Sequence, residues 1–289
     1  GMGDIGVATS VDVFSQQWNP AKYAFAEHKM GIGVSYTPYL ESIITDIALL
    51  NANFYNKIND KSTFAASLRY FTLGEIELRQ TAGEEGRRVK PNEFAIDGSY
   101  SMKLSETFSM AVGGRFISSN LKFQDQAGSD AQAANTFAVD VAAFYRSREI
   151  AYNNFDGRWR AGFNISNLGS KIVYDEGGQE NFLPTNLKFG AGFDFILDSD
   201  NKIAITSEFN KLLVPTPQDF NNDGVVNGYF NESEEKGSRK FFSLGAGFKF
   251  KATQIDLSYL FSSSKVRNPL ENTLRFSLTF NLGEEFYND

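Results

Sequence analysis

Residues 107–118 read TFSMAVGGRFIS, with Phe108, Met110, Val112, Gly114 and Phe116 on one parity and Thr107, Ser109, Ala111, Gly113 and Arg115 on the other. Alternation this long is the pattern of a half-buried strand. The same period recurs in both directions along the chain. Phe137, Val139, Val141, Ala143 and Tyr145 oppose Thr136, Ala138, Asp140 and Ala142; Trp159, Ala161, Phe163 and Ile165 oppose Arg158, Arg160, Gly162 and Asn164. Further on, Leu187, Phe189, Ala191, Phe193 and Phe195 face away from Lys188 and Asp194, and Leu274, Phe276, Leu278, Phe280 and Leu282 face away from Arg275. In these segments no charge falls on the apolar parity.

Twelve such segments are read, near 31–37, 47–58, 62–72, 93–103, 107–118, 135–146, 158–168, 186–196, 201–211, 241–251, 253–263 and 273–282. Most run to about ten or more residues, the length of a tilted transmembrane strand and roughly twice that of a soluble one. The connections sort by parity as well. Turns at Asn59-Asp60-Lys61, Leu104-Ser105-Glu106, Asp198-Ser199-Asp200 and Ala252 alternate with long stretches at 73–92, 119–134, 169–185 and 212–240. Short periplasmic turns and long external loops are the outer-membrane barrel pattern, and a soluble sandwich has no reason for it. Tyr36, Tyr70, Tyr100, Tyr145, Trp159 and Tyr259 on the apolar parity fit interfacial aromatic belts, against the plainer reading that they fill a core.

Lys or Arg facing lipid at the midplane costs roughly 2 to 4 kcal/mol. Arg69, Asp97, Arg115, Asp140, Lys188, Asp194, Glu208, Asp256 and Arg275 all take the opposite parity, so they line a hydrated or plugged lumen, where pairing with one another is the simplest role. Gly113, Gly162, Gly190, Gly192, Gly245 and Gly247 share that parity and either ease barrel coiling or let a plug or ligand approach.

Composition agrees and excludes much. The 289 residues include 28 Phe, no Cys and one His, with a net charge of −7. Without Cys there is no disulfide, thiolate metal site or cysteine nucleophile, and His28 alone cannot build a histidine cage. No Lys/Arg block supports nucleic-acid binding. No apolar run reaches the roughly 18 residues of a membrane helix, and the stretch Ile43–Leu50 is broken by Thr45 and Asp46. GMGDIGVATS at the start has neither a charged n-region nor an apolar h-region, so the chain is read without its export signal. No composition break divides it; the expectation is a single barrel domain over 1–289, with 1–30 as an N-terminal plug and 31–283 as the barrel.

The opening GMGDIGVATSVDVFSQQWNPAKYAF, with Asn19-Pro20-Ala21, resembles the N-terminal region of FadL-like outer-membrane proteins. With LRYFTLGEIELR at 68–79, NISNLGSKIVYDEG at 164–177, FLPTNLKFGAGF at 182–193 and FNKLLVPTP at 209–217, the chain resembles the PorV (LptO) family of the Bacteroidetes type IX secretion system over nearly its whole length. The resemblance implies an all-β, FadL-like transmembrane antiparallel barrel of fourteen strands, two more than the pattern count, with the extra pair expected in 1–30 or in a long loop. It implies a shuttle that takes the C-terminal signal domain of cargo from the SprA (Sov) translocon barrel and delivers it to the PorU sortase complex.

Tyr174, Phe182, Leu183, Leu212, Leu213, Val214, Pro215 and Thr216 are the expected cargo or partner loops, unless they only pack the barrel rim. Asp219, Asn221, Asp223, Gly224, Val225 and Asn227 match the first nine positions of an EF-hand loop, with Val225 supplying a carbonyl. Its twelfth position is Phe230 rather than Glu, so a Ca2+ site here competes with a solvated acidic turn. The other expected companions are outer-membrane lipid and bound lipid or detergent. Two further functions are weighed. The family has been linked to lipopolysaccharide deacylation, but there is no G-x-S-x-G elbow and a triad would depend on His28. FadL-like transport of hydrophobic small molecules through a plugged lumen is the main alternative to secretion.

Overall fold

A computed structural model describes residues 5–39, 46–79, 86–121, 133–174, 180–198, 202–214, 241–262 and 273–285. The chain begins with two 3-10 turns, Val13–Gln17 and Pro20–Phe25. Fifteen strands follow: β1 (His28–Pro38), β2 (Ile47–Lys57), β3 (Ser62–Leu73), β4 (Ile76–Leu78), β5 (Arg87–Val89), β6 (Asn92–Lys103), β7 (Phe108–Asn120), β8 (Ala134–Arg146), β9 (Ile150–Ala151), β10 (Asp156–Gly169), β11 (Thr185–Ile196), β12 (Lys202–Val214), β13 (Phe241–Phe250), β14 (Thr253–Ser262) and β15 (Thr273–Glu285). No helix among the described residues is long and apolar enough to cross a membrane.

Twelve of the strands run ten to fourteen residues and pair antiparallel in the order β12-β11-β10-β8-β7-β6-β3-β2-β1-β15-β14-β13, so the first and last strands of the chain meet. These are the twelve segments marked by the alternation. Their ends lie up to three residues beyond the apolar pattern, as at His28 and Val214, because pairing continues past the part of each strand that must be greasy. The fourteen strands of the resemblance exceed this count, which is of the described residues and leaves out 215–240 and 263–272. Residues 5–25 form no strand, β4 and β5 make only a separate hairpin, and β9 is two residues paired with the start of β10, so none of these supplies a spanning pair. Connections at 58–61, 104–107, 197–201 and 251–252 stay short and share one end with the nine residues 147–155; the opposite end takes 39–46, 74–91, 121–133, 170–184, 215–240 and 263–272.

The outer face is apolar. Val112, Phe137, Trp159, Phe189 and Ile205 are each more than half exposed, an arrangement that water would not tolerate over so wide a surface and that hydrocarbon favours. Inside, Asp97, Arg115, Asp140, Arg160 and Asp194 are buried. Residues 5–27 run within the sheet and cover Arg160 and Asp194, touching β1–β3, β6–β8 and β10–β12, while Asp97, Arg115 and Asp140 bury one another.

Candidate functional site

The Asn-Pro-Ala element holds this inner segment together. Asn19 is fully buried; its Oδ1 accepts from Ala21 N at 3.0 Å, while Nδ2 donates to Val7 O and to Ala143 O on β8, both at 2.9 Å. Pro20 opens the second 3-10 turn, where its missing N–H costs nothing. Ala21 and Phe25 then pack on Ala111, Ala142 and Phe144 of the wall. Tyr23 stacks on Tyr55 of β2, donates to Val13 O at 2.7 Å and accepts from Gln16 N at 2.8 Å.

Other wall side chains grip the backbone of the plug. Ser109 donates to Ala21 O, Lys57 to Ala26 O and Asn164 to Trp18 O, at 2.7, 2.9 and 2.8 Å. On β12, Glu208 Oε2 accepts from both Gly6 N and Val7 N, at 2.7 and 2.8 Å. Arg160 donates to Ala8 O at 2.6 Å and pairs with Asp194 at 2.7 Å. Gly162 is where the plug comes closest: a Cβ there would stand 1.9 Å from Val7 O, so the lumen-side glycine admits backbone, as one of the two readings of that parity requires. Lys22 folds onto its own segment and donates to Gly6 O, Thr9 Oγ1 and Ser10 O. Burial pushes its ammonium below the usual lysine range, with Asp12 opposing that shift.

Nearer the long-loop end lies a belt made by the wall alone. Arg115 on β7 bonds Asp97 of β6, Asp140 of β8 at 3.0 Å and Asn167 Oδ1 of β10, and Arg69 of β3 approaches Asp97 at 3.5 Å. Asn167 sits at a register shift with φ of 61°, a left-handed conformation that Asn tolerates better than most residues. Its N–H donates to Asp140 Oδ1 and its Nδ2 to Pro184 O, tying the belt to the connection 170–184. The lumen charges are thus paired where they are most buried, as expected of them; Asn167, at the bulge, lies outside the alternation that marks the strands.

Between the plug, β10–β12 and β14–β15 remains a cavity of about 750 Å³ reaching the short-turn end. Arg146, Arg158, Arg160, Asp194, Asp256 and Arg275 line it on one side and Val13, Phe14, Trp18, Phe144 and Leu257 on the other, so its walls are mixed, ionic and apolar.

At the opposite rim the expected partner residues divide. Leu183 is packed inward and Tyr174 donates to Ser119 Oγ at 3.2 Å. Phe182 is half exposed beneath Lys171 Nζ, 4.6 Å from its ring, and Leu212 is also exposed, while Leu213 and Val214 are half-buried at the end of β12. Ile172 and Asn181 pair across the connection, each N–H bonding the other's carbonyl at 2.8 Å. Pro215 and Thr216 lie outside the described residues, as do the calcium candidates Asp219, Asn221, Asp223, Val225 and Asn227. Among the described residues no group of three or more His, Cys, Asp or Glu side chains is placed to hold a metal.

The sequence signature of the type IX secretion system protein PorV matches residues 1–219. The chain belongs to the PorV family. Its place is the outer membrane and its role lies in type IX secretion, with partners belonging to that system. No curated protein matches it in sequence. Among solved structures, the TodX deltaS2S3 mutant, a monoaromatic hydrocarbon channel, superposes with a TM-score of 0.50 at 9% identity, covering 97% of each chain. The Pseudomonas putida toluene transporter TodX gives 0.48 at 11%, covering 96% of this chain and 94% of its own, and a Pseudomonas aeruginosa FadL homologue gives 0.47 at 14%, covering 97% of each. At 9% identity the likeness to the TodX mutant is one of fold alone, an antiparallel membrane barrel.

Proposed function

We propose that this PorV-family barrel is an adaptor that binds the C-terminal signal domain of secreted cargo at the extracellular side of the translocon and passes it to the sortase-bearing attachment complex. The observation that carries the reading is a lumen partly occupied by the chain's own N-terminal segment, in a member of a secretion family, beneath a rim that offers Phe182 and Val173 to solvent. A plugged barrel is a rigid pedestal, and loops held on such a scaffold suit protein recognition. Signal-domain contact falls on 170–184, where the Ile172–Asn181 bridge limits the ordering cost of binding.

Transport of hydrophobic compounds is the second reading. It is favoured by the fold and by the apolar part of the cavity wall, at Phe14, Trp18, Phe144 and Leu257, and opposed by Arg146, Arg158, Asp256 and Arg275, which an apolar ligand would strip of water. Purification of the full chain in mild detergent tests both. Recovery of translocon barrel and signal-domain cargo, lost on Phe182→Asp, is the expected result; a preparation lacking both companions but retaining an apolar small molecule in the lumen overturns it.

A further inference from the structure

The register between strands places two polar rows side by side on the inner wall. Gln254 of β14 lies opposite Thr279 of β15, Thr279 opposite Gly33 of β1, Gly33 opposite Asn53 of β2, and Asn53 opposite Ser67 of β3. One rung nearer the long loops, Asp256, Ser277, Ser35, Asn51 and Arg69 follow one another in the same way. Directly paired residues point to the same side of a sheet, so each row is a continuous strip. Gln254, Asp256, Ser277 and Thr279 line the cavity at one end of the strips. At the other end Ser67 donates to Asp97 at 2.9 Å and Arg69 approaches it at 3.5 Å, so both strips run into the belt.

The plug touches only the lower strip closely, at Gly33, where a Cβ would stand 2.9 Å from Val13 and from Phe14. In the upper strip Asp256, Ser277, Ser35 and Arg69 each stay partly exposed. Between these accessible ends, Asn51 and Asn53 are 7% and 2% exposed. Four buried side-chain atoms here have no hydrogen-bond partner among the described residues: Asn51 Oδ1, Asn53 Oδ1, Asn53 Nδ2 and Arg69 Nε. Two of them accept and two donate. An anion would serve only the donors, a metal ion only the acceptors and an apolar molecule neither. Water serves all four and finds here the several polar partners that a buried water requires.

We infer that the two strips wall a hydrated side path that carries water and small inorganic ions past the docked plug, between the cavity and the belt. Asn53 marks its constriction, and its amide replaces bulk hydration where the path is most enclosed. The path is a property of the wall and the plug and is independent of what the outer rim recognises.

The chain has no Cys, so a single introduced thiol reports on one position. Asn53→Cys, Ser277→Cys and Ala65→Cys are each made in the full chain and folded into phosphatidylcholine bilayer discs. Ala65 is the dry reference, packed inside with Val13, Tyr23 and Tyr55. Each variant is exposed to silver ions, and the thiols left are counted with a maleimide dye after denaturation. Silver should block Asn53→Cys about tenfold or more faster than Ala65→Cys, and a polymer-linked maleimide should reach neither. Equal silver rates at positions 53 and 65, or entry of the polymer at 53, overturn the proposal. In planar bilayers Asn53→Leu, if it keeps heat-modifiable migration, should lower the potassium chloride conductance of single barrels about threefold or more. A parent barrel that conducts nothing, or a folded Asn53→Leu that conducts as before, overturns it too.

Discussion

Two levels of the lumen are held by different chemistry. The belt of Arg115, Asp97, Asp140 and Arg69 joins wall strand to wall strand through charged side chains, whereas the plug is held by wall side chains reaching its backbone, as Ser109, Lys57, Asn164 and Glu208 do. The first arrangement makes the wall cooperative, because Asp97, Arg115 and Asp140 are buried and the loss of one strands the others. The second divides the plug's attachment among single contacts, so the plug can be loosened while the wall stands.

The largest expected effect is therefore on the belt. Arg115→Leu leaves two buried carboxylates without their main cation and should cost about 3 to 5 kcal/mol, read as a lower denaturant midpoint of the whole barrel. Asn19→Ala should act locally: it removes one bond accepted and two donated, at about 1 to 3 kcal/mol, with protease cutting in 5–25 while the barrel keeps its heat-modifiable gel shift. If Asn19→Ala unfolds the wall together with the plug, the division between the levels fails. Glu208→Gln keeps an acceptor but loses the charge facing Gly6 and Val7, so about 1 kcal/mol and a modest rise in single-channel conductance are expected.

The smallest effect is on pH. Lys22 has a folded pKa below its unfolded value, so the unfolded chain binds more protons between the two. Plug docking should strengthen as pH rises through that window toward about 10.4 and level off above it, and Lys22→Met should abolish the slope. Protease protection of 5–25 against pH measures both.

The wall was legible because lipid enforces a strict rule: a charge on Val112's parity is expensive, so period two survives along every strand. The parity also told which side Asp97, Arg115 and Asp194 would face. It could not tell which would pair, because partners are set by register between strands that are distant in sequence. Asn167 escaped notice since a bulge breaks the very period used to find strands, and its signal is only an Asn interposed between Ile165 and Leu168. The plug has no period at all. Asn19-Pro20-Ala21 pointed to it through resemblance, while the grip of Glu208 on Gly6 and Val7 joins residues about 200 positions apart.

The pairing of β1 with β15 imposes an order on assembly. Its contacts, such as Tyr36 with Phe276, span nearly the entire polypeptide, and so distant a closure is slow relative to joining neighbouring hairpins. The leading segment meets β2, β3, β6, β7 and β8 first, all made earlier in synthesis. A nascent sheet can thus wrap around its own beginning before β15 joins β1, so that the plug is enclosed ahead of the last strands.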